Sequence, residues 1–433
     1  MIRYQVYVKA INNNNRNMIP ISIRDRVHYY KMRFLYGRGY RRLLNDIRNN
    51  NHVKVAFIIM SLPMWKNQKL LELMLADSRF SVKVVLSPVC SFSKETQLHD
   101  MERLRRFFTE RGIFFEDYDR NKVYDLRGDF NPDIIFYQQP YENIHCQEHD
   151  YTSFPDKLLC YVPYSFWPGA EIWGFDRWFH RLAWRIYYAN DLLLQFAKSV
   201  SLIGAKNSVI VGYPSADLFL AKVHNDVWKC KDKNVKRIIW APHYSINSKT
   251  AISTQSSFLL IAGEMLRLAK ENVGVLHIAF KPHPRLKSEL YRYPGWGKEK
   301  ADEYYKLWGT MPNTQLETGE YVDLFMTSDA LVHDSGSFMV EYQYSQKPSL
   351  FVSPDYQPFY NRMNNLGKAA LDCHYTARDI DGVKQFINDV VIKGRDEKKE
   401  FRENFRKDML LPPGGRSVAD NIYYDLIEQL NLR

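Results

Sequence analysis

The stretch from Ser328 to Val352, SDALVHDSGSFMVEYQYSQKPSLFV, constrains the fold of this chain more than any other. Ala330 to His333 is a short apolar run, the length of a buried strand. Asp334-Ser335-Gly336-Ser337 is a tight polar turn. Phe338 to Tyr344 then sets Phe338, Tyr342 and Ser345 on one side at helical spacing, until Lys347-Pro348 stops the helix and Ser349 to Val352 begins another strand. Strand, turn, helix and strand make a βαβ unit. Its turn offers backbone N–H groups at a helix N-terminus, a ready place for a phosphate. Ser337 and Glu341 lie four apart and share a helix face, so the serine can touch a phosphate while the glutamate reaches a ribose hydroxyl. The plainer alternative makes Ser335 and Ser337 helix caps only.

The same alternation runs through the chain from Val53. Strands are expected at Val53 to Met60, Val82 to Leu86, Ile113 to Phe115, Ile134 to Tyr137, Leu158 to Val162 and Val209 to Val211. Helices are expected at Trp65 to Ala76 and Met101 to Arg111. A second series begins near Lys236, with strands Arg237 to Ala241, Val275 to Phe280 and Thr314 to Glu317 and a helix over Phe258 to Lys270. The order predicts α/β architecture with doubly wound, mostly parallel sheets. At 433 residues the chain exceeds one compact core. We expect a basic, aromatic segment over 1–50, an N-terminal Rossmann-like domain over 51–228 and a C-terminal one over 229–433. The polar stretch Lys229 to Asn234 would be the linker, and the last helix is a candidate to pack back on the N-terminal domain. No GxGxxG follows the first strand, so a dinucleotide cofactor is not supported there.

A net charge of +11 points to an anionic partner: a nucleotide-activated substrate, an anionic membrane surface or a nucleic acid. No RNP, KH, zinc-finger or helix-turn-helix signature accompanies the charge, which argues against nucleic acid. The five cysteines are scattered without CxxC spacing, which suits a reducing cytoplasm and neither zinc nor disulfides. No run approaches 18 apolar residues. The first 50 residues hold an Asn12 to Asn15 patch, then Arg24, Arg26, Tyr29, Tyr30, Lys31, Arg33, Tyr36, Arg38, Tyr40, Arg41 and Arg42. Such a segment can rest on anionic headgroups as an amphipathic helix, or pack on the first domain through its aromatics. Ser165 to Trp184, crowded with aromatics, reads equally as an acceptor groove, a lipid-facing surface or packing.

Three loops follow strands of the second series: Pro242-His243-Tyr244-Ser245, Lys281-Pro282-His283-Pro284-Arg285 and Asp334 to Ser337. Ligands of open α/β sheets bind outside the carboxyl ends of the strands, so these loops should meet at one crevice. They bring cations (Lys281, Arg285), imidazoles (His243, His283), hydroxyls and free amides. That set suits a diphosphate whose leaving group gains negative charge in the transition state. Two prolines fix the backbone of His283.

The segments WAPHYSI (240–246), KPHP (281–284), SDALVHDSGSFMVEY (328–342) and GGRSVADNIYYDLI (414–427), with GYPSADLF (212–219), resemble the ordered motifs of the CDP-glycerol glycerophosphotransferase family. The resemblance covers roughly residues 205–433. It implies a GT-B fold, two Rossmann-like domains facing each other across a cleft with the donor on the C-terminal one. It implies transfer of glycerol phosphate or ribitol phosphate from a CDP-activated donor to a glycan or lipid-linked acceptor of a teichoic acid or capsule polymer. CMP is released, with no cofactor and no metal in the chemical step, on the inner face of the cell membrane. By position, His283 matches the family's essential donor-domain histidine. Ser335, Gly336 and Ser337 match its phosphate turn, and Arg416 and Ser417 match a stretch that can face the phosphates.

The N-terminal half departs from that pattern. The family's His-Gly-Thr-Pro segment, whose histidine acts as base on the acceptor, corresponds here to Tyr161-Val162-Pro163-Tyr164-Ser165, which holds no histidine. His145, His149, Asp150, Glu171 and His180 are the replacements a fold could bring near the site. A GT-B glycosyltransferase using a nucleotide sugar is the alternative function.

Overall fold

The structure is a computed structural model that describes residues 23–118, 123–142, 144–247 and 256–433. The asparagine patch at 12–15 and the side chains of Arg24, Arg26 and Tyr29 lie outside the described residues. The chain forms two compact units. The first comprises Met1–Ser165, Ile172–Ser215 and Pro412–Arg433, and the second Phe166–Glu171 and Ala216–Leu411. Lys229 to Asn234, where the sequence places the linker, thus belong to the second unit.

In the first unit a six-stranded parallel sheet runs β2-β1-β3-β4-β5-β6. Its strands are β1 (Val53–Ile59), β2 (Phe80–Leu86), β3 (Ile134–Tyr137), β4 (Leu158–Tyr161), β5 (Arg185–Tyr188) and β6 (Ser208–Ile210). Helices cover a parallel sheet on both faces, so its inner strands read as unbroken apolar runs. Val55 to Ile59 of β1 and all of β3 are buried accordingly. The expected strand Ile113 to Phe115 does not form: Phe114 is 74% exposed, and only a lone bridge joins Val85 to Glu116. Ile113 and Phe115 are half-buried, with the Phe115 ring 6.3 Å from that of Phe108, so the run packs by one face without pairing as a strand.

The last helix, Val418–Leu430, is part of this unit. Its Asp425 takes a bidentate pair from Arg185 at 2.6 and 3.1 Å and a hydrogen bond from the Tyr187 hydroxyl at 3.1 Å. Gly212, at φ +103°, lies where a Cβ would come within 2.8 Å of Val418 Cγ2, so only glycine lets the Gly-Tyr-Pro turn approach the helix. The N-terminal helix Ile23–Asn50 docks through Tyr36, whose hydroxyl donates to the Tyr151 carbonyl at 3.2 Å, and Tyr40, which donates to the Leu182 carbonyl.

The second unit carries another six-stranded parallel sheet, ordered β12-β11-β10-β7-β8-β9. Its strands are β7 (Lys236–Ala241), β8 (Leu276–Phe280), β9 (Thr314–Leu316), β10 (Ala330–His333), β11 (Ser349–Val352) and β12 (Tyr375–Ala377). The winding reverses between β7 and β10, where crossover helices leave the sheet on opposite faces and open a crevice at the strand ends. His333 sits beside Ala241 there, and Trp240 beside Phe280. Trp240, Phe258, Phe280 and Trp308 fill the core beneath, with the Phe280 ring 4.9 Å from Trp240 and 5.2 Å from Trp308. Rings of this size each bury roughly 150–250 Å², about 4–6 kcal/mol of water-removal free energy before entropy. They make a rigid floor for the loops above.

Candidate active site

The loops after β7, β8 and β10 are bonded to one another. His283 N–H donates to the Pro242 carbonyl at 3.0 Å, joining the β8 and β7 loops. His243 N–H donates to Asp334 Oδ1 at 2.6 Å, joining the β7 and β10 loops. Asp334 Oδ2 accepts from Ser256 Oγ at 2.9 Å and from both Ser257 N–H and Ser257 Oγ at 2.7 Å. The sequence places Asp334 among the phosphate contacts. In the structure its carboxylate is buried and given over to these four donors, which suits a negative group better than a place beside a phosphate.

Above this anchor the rings cluster. His283 lies 5.0 Å from His243 and 4.5 Å from Tyr244, centre to centre, and the Arg285 guanidinium stacks 4.2 Å over Tyr244. His283 Nδ1 accepts the N–H of Arg285 at 3.1 Å. That bond places the proton of the neutral ring on Nε2. Burial, followed by His243, Arg285 and Lys281, pushes the His283 pKa down to about 3, so the ring is neutral at pH 7 and offers an N–H without a charge. His243 is also pushed down, by burial and then Arg285, with Asp334 opposing; its Nδ1 pairs with Ser245 Oγ at 2.9 Å.

Lys281 does not join this cluster. It is buried and donates its ammonium to the Gly319 carbonyl at 2.7 Å. Burial lowers its pKa against the pull of Glu317 and Glu320.

The turn after β10 departs from the expected helix. Phe338–Glu341 is a single α turn that tightens into a 3-10 turn over Tyr342–Ser345 and ends at Gln346, φ +59°. So short a helix adds little dipole, and any phosphate would be held by local N–H groups. Ser337 makes no side-chain capping bond, so the capping alternative is not what this residue does. Ser335 N–H donates to His333 Nδ1 at 3.2 Å. A Cβ added to Gly336 would meet only Pro168 Cγ, at 3.9 Å, leaving open space above the turn. Glu341 is buried on the same turn.

Pro168 reaches Gly336 because Phe166–Glu171 belongs to the second unit. Asn364 holds it: its N–H donates to the Pro168 carbonyl at 2.9 Å, and its Nδ2 to the Trp167 and Gly169 carbonyls at 2.7 and 2.9 Å. Asn364 Oδ1 also caps helix Asn365–Asp372 through the Gly367 N–H. A sequence reading misses Asn364, nearly 200 positions from its partners; only its place before a helix marks it.

Of the acceptor-base candidates, Glu171 alone belongs to the unit that bears the loops, and its Oε2 accepts from Trp167 Nε1 at 3.3 Å. His149 is buried and bonded to Ser87 Oγ and the Tyr124 carbonyl, each at 3.0 Å. His180 Nδ1 accepts the Arg177 N–H at 3.2 Å, and burial pushes its pKa down to about 3. His145 is buried, and its pKa is pushed down to about 4. Asp150 caps a short turn through the Thr152 N–H. Arg416 stacks 4.8 Å from the Tyr424 ring and Ser417 caps the last helix through the Asp420 N–H at 3.1 Å, both within the first unit. Among the described residues, no group of three or more His, Cys, Asp or Glu side chains is placed to hold a metal ion.

Two parallel α/β units, the second with bonded loops at its switch point, define a chain of the GT-B class. Residues 185–365 match the model of the family described as CDP-Glycerol:Poly(glycerophosphate) glycerophosphotransferase. That range contains four of the five segments that carry the resemblance, and the resemblance to this family holds. No curated protein matches the chain. Among solved structures, a variant of the wall teichoic acid polymerase TagF is 15% identical with a TM-score of 0.55, covering 94% of this chain and 99% of its own. The S. aureus MnaA–UDP complex is 16% identical with a TM-score of 0.55, covering 88% and 98%. The UDP-GlcNAc 2-epimerase from Neisseria meningitidis bound to UDP-GlcNAc is 13% identical with a TM-score of 0.56, covering 87% and 100%. At these identities the likeness is one of fold.

Proposed function

We propose that this protein is a polyol-phosphate transferase. It would move glycerol phosphate or ribitol phosphate from a CDP-activated donor to a hydroxyl of a glycan or lipid-linked acceptor in teichoic acid or capsule synthesis. The observation that carries this reading is the bonding of the His283, His243 and Asp334 loops into one constellation, within the residues that match the family. The acceptor hydroxyl oxygen attacks the β-phosphorus of the donor. The bond from that phosphorus to the bridging oxygen breaks, and CMP departs with the electron pair while the hydroxyl proton passes to a base. His283 Nε2–H donates to the charge growing on the departing phosphate. The open turn at Gly336 and Ser337 receives the diphosphate, Arg285 faces it from the stacked position on Tyr244, and Glu341 takes the ribose. Glu171 is the base we carry forward.

Membrane contact belongs to the same reading. On the N-terminal helix Val27, Tyr30, Phe34 and Leu35 are 64, 68, 59 and 48% exposed, among Lys31, Arg38, Arg41 and Arg42. Apolar and basic side chains together on an exposed helix suit peripheral binding to an anionic leaflet, which for a CDP-dependent enzyme is the cytoplasmic one. No helix among the described residues is long and apolar enough to cross a membrane. The test is to incubate the purified chain with CDP-glycerol, CDP-ribitol and nucleotide sugars, each with a lipid-linked glycan acceptor. Release of CMP from a CDP-polyol supports the reading. Release of UDP or GDP from a sugar instead would establish the glycosyltransferase alternative.

A further inference from the structure

The first unit holds a cavity of about 320 Å³ lined by Arg33, Tyr36, Gly37 and Tyr40 of the N-terminal helix and by residues 181–185, 203 and 206–207. None of these residues has a place in the transfer chemistry. Arg33, Tyr36, Gly37 and Tyr40 recur at helical spacing, so one face of the helix roofs the space. The floor is built from the turn between helix Trp178–Leu182 and β5, fixed by Asn207, whose Nδ2 donates to the His180 and Ala183 carbonyls at 2.9 and 2.7 Å.

Two features of this cavity ask for a ligand. The first is Gly37. Glycine in a helix interior costs about 1 kcal/mol relative to alanine, so it needs a reason. Gly39, two residues on, has one: a Cβ there would come within 2.6 Å of the Asp156 backbone. At Gly37 a Cβ would meet nothing within 4 Å. Packing does not demand this glycine, and because Gly37 lines the cavity a large side chain there would take up part of the space. The second feature is charge. Arg181 and Arg185 line the space but are each neutralised by a bidentate carboxylate, Asp176 and Asp425; Arg33 and Lys206 add two further cations to the lining. Tyr36, Tyr40 and Trp184 supply aromatic walls between the cations. Cations interleaved with aromatics suit a phosphate ester that carries a polyol or an acyl-bearing glycerol.

We propose that this cavity is a headgroup site for an anionic phospholipid, binding the phosphate diester between Arg33 and Lys206. The same helix carries the exposed apolar residues Val27, Tyr30 and Phe34, which would lie against acyl chains while the cavity takes the headgroup. The inference rests on the membrane part of the proposed function and makes it specific: one saturable lipid site, added to diffuse attraction by the basic surface.

The test uses the full chain and short-chain phosphatidylglycerol below its micelle concentration, with glycerol 1-phosphate and short-chain phosphatidylcholine in parallel titrations. We expect saturable one-to-one binding of phosphatidylglycerol, weaker by about fivefold in Lys206→Ala, the loss typical of one cation removed from an anionic lipid surface. Gly37→Leu, which fills the space and keeps the charge, should abolish it; circular dichroism and the melting temperature check that this variant folds. Lys231→Ala, a charge change in the other unit, should leave it unchanged. Equal binding of phosphatidylcholine, or of glycerol 1-phosphate, would overturn the proposal, as would full binding by a folded Gly37→Leu protein. CMP release is scored separately, so loss of the lipid site and failure of the transferase reading are distinguishable.

Discussion

His333 and His374 share a hydrogen bond between their Nε2 atoms, 2.9 Å long and closed to solvent. The neighbours fix the protons. His374 Nδ1–H donates to the Ala370 carbonyl at 2.8 Å, so its Nε2 is the acceptor. His333 Nδ1 accepts the Ser335 N–H, so His333 Nε2–H is the donor. The line therefore runs from the turn after β10 into the core and works only with both rings neutral. Burial drives both pKa values down, that of His374 to about 3. Both rings are neutral in the folded chain, and each takes up a second proton in the unfolded one near the ordinary value of about 6.5. Stability is then level above that pH and falls below it, by about 1.4 kcal/mol per pH unit for each such ring. Urea melts at pH 7.5, 6.0 and 5.0 should show this loss. His374→Gln should flatten the slope by about one proton while lowering stability at pH 7.5. An unchanged slope in that variant would mean that His374 does not titrate on unfolding.

His283 is half-buried and bonded through its backbone, so His283→Gln should fold with a melting temperature near that of the parent. Removing a donor aimed at developing charge typically lowers kcat by about 10²–10³. CMP release from CDP-glycerol should fall by that much, with donor affinity changed far less. A variant that kept its rate would remove His283 from the chemistry.

Gly336 and Gly367 make a contrasting pair on either side of Pro168. At Gly336 an added methyl has room, so Gly336→Ala should fold normally and yet weaken CDP-glycerol binding by crowding the space over the turn. At Gly367 the methyl would come within 2.4 Å of the Pro168 carbonyl, so Gly367→Ala should lose roughly 1–3 kcal/mol of stability from overpacking. Calorimetric titration with CDP-glycerol alongside thermal melts separates the two. Full affinity in Gly336→Ala would place the diphosphate elsewhere.

Much of this was legible in the sequence because each strand of the second sheet ends at a break in periodicity. Ala330–His333 and Ser349–Val352 form as read, and the loops after β7, β8 and β10 stand bonded together. What escaped depends on distant partners. β5 begins with Arg185, a poor strand signal after an aromatic run, and that arginine is neutralised by Asp425, 240 residues later. β12 is an edge strand of three residues, too short to show alternation. Lys281 reads as a phosphate cation, but its ammonium goes to the Gly319 carbonyl. Three of the four donors that Asp334 anchors come from Ser256 and Ser257, 78 and 77 residues before it.

The acceptor base is the part of the proposed reaction that the sequence leaves open, and Glu171 is the residue we propose for it. His149 and His180 are buried and bonded at a ring nitrogen, and His145 and His180 are held neutral by pKa values near 4 and 3. None of the three belongs to the unit that bears the bonded loops. Glu171 is partly exposed and lies on the segment that Asn364 anchors beside the Gly336 turn. Glu171→Gln should therefore lower CMP release in the presence of acceptor by about 10²-fold or more, the usual yield of a general base. Donor binding and the melting temperature should stay close to the parent's. Trp167→Phe carries the sharper test: if Glu171 takes the proton, this variant should keep most of the rate, whereas a carboxylate that only holds Trp167 would lose the same rate in both variants.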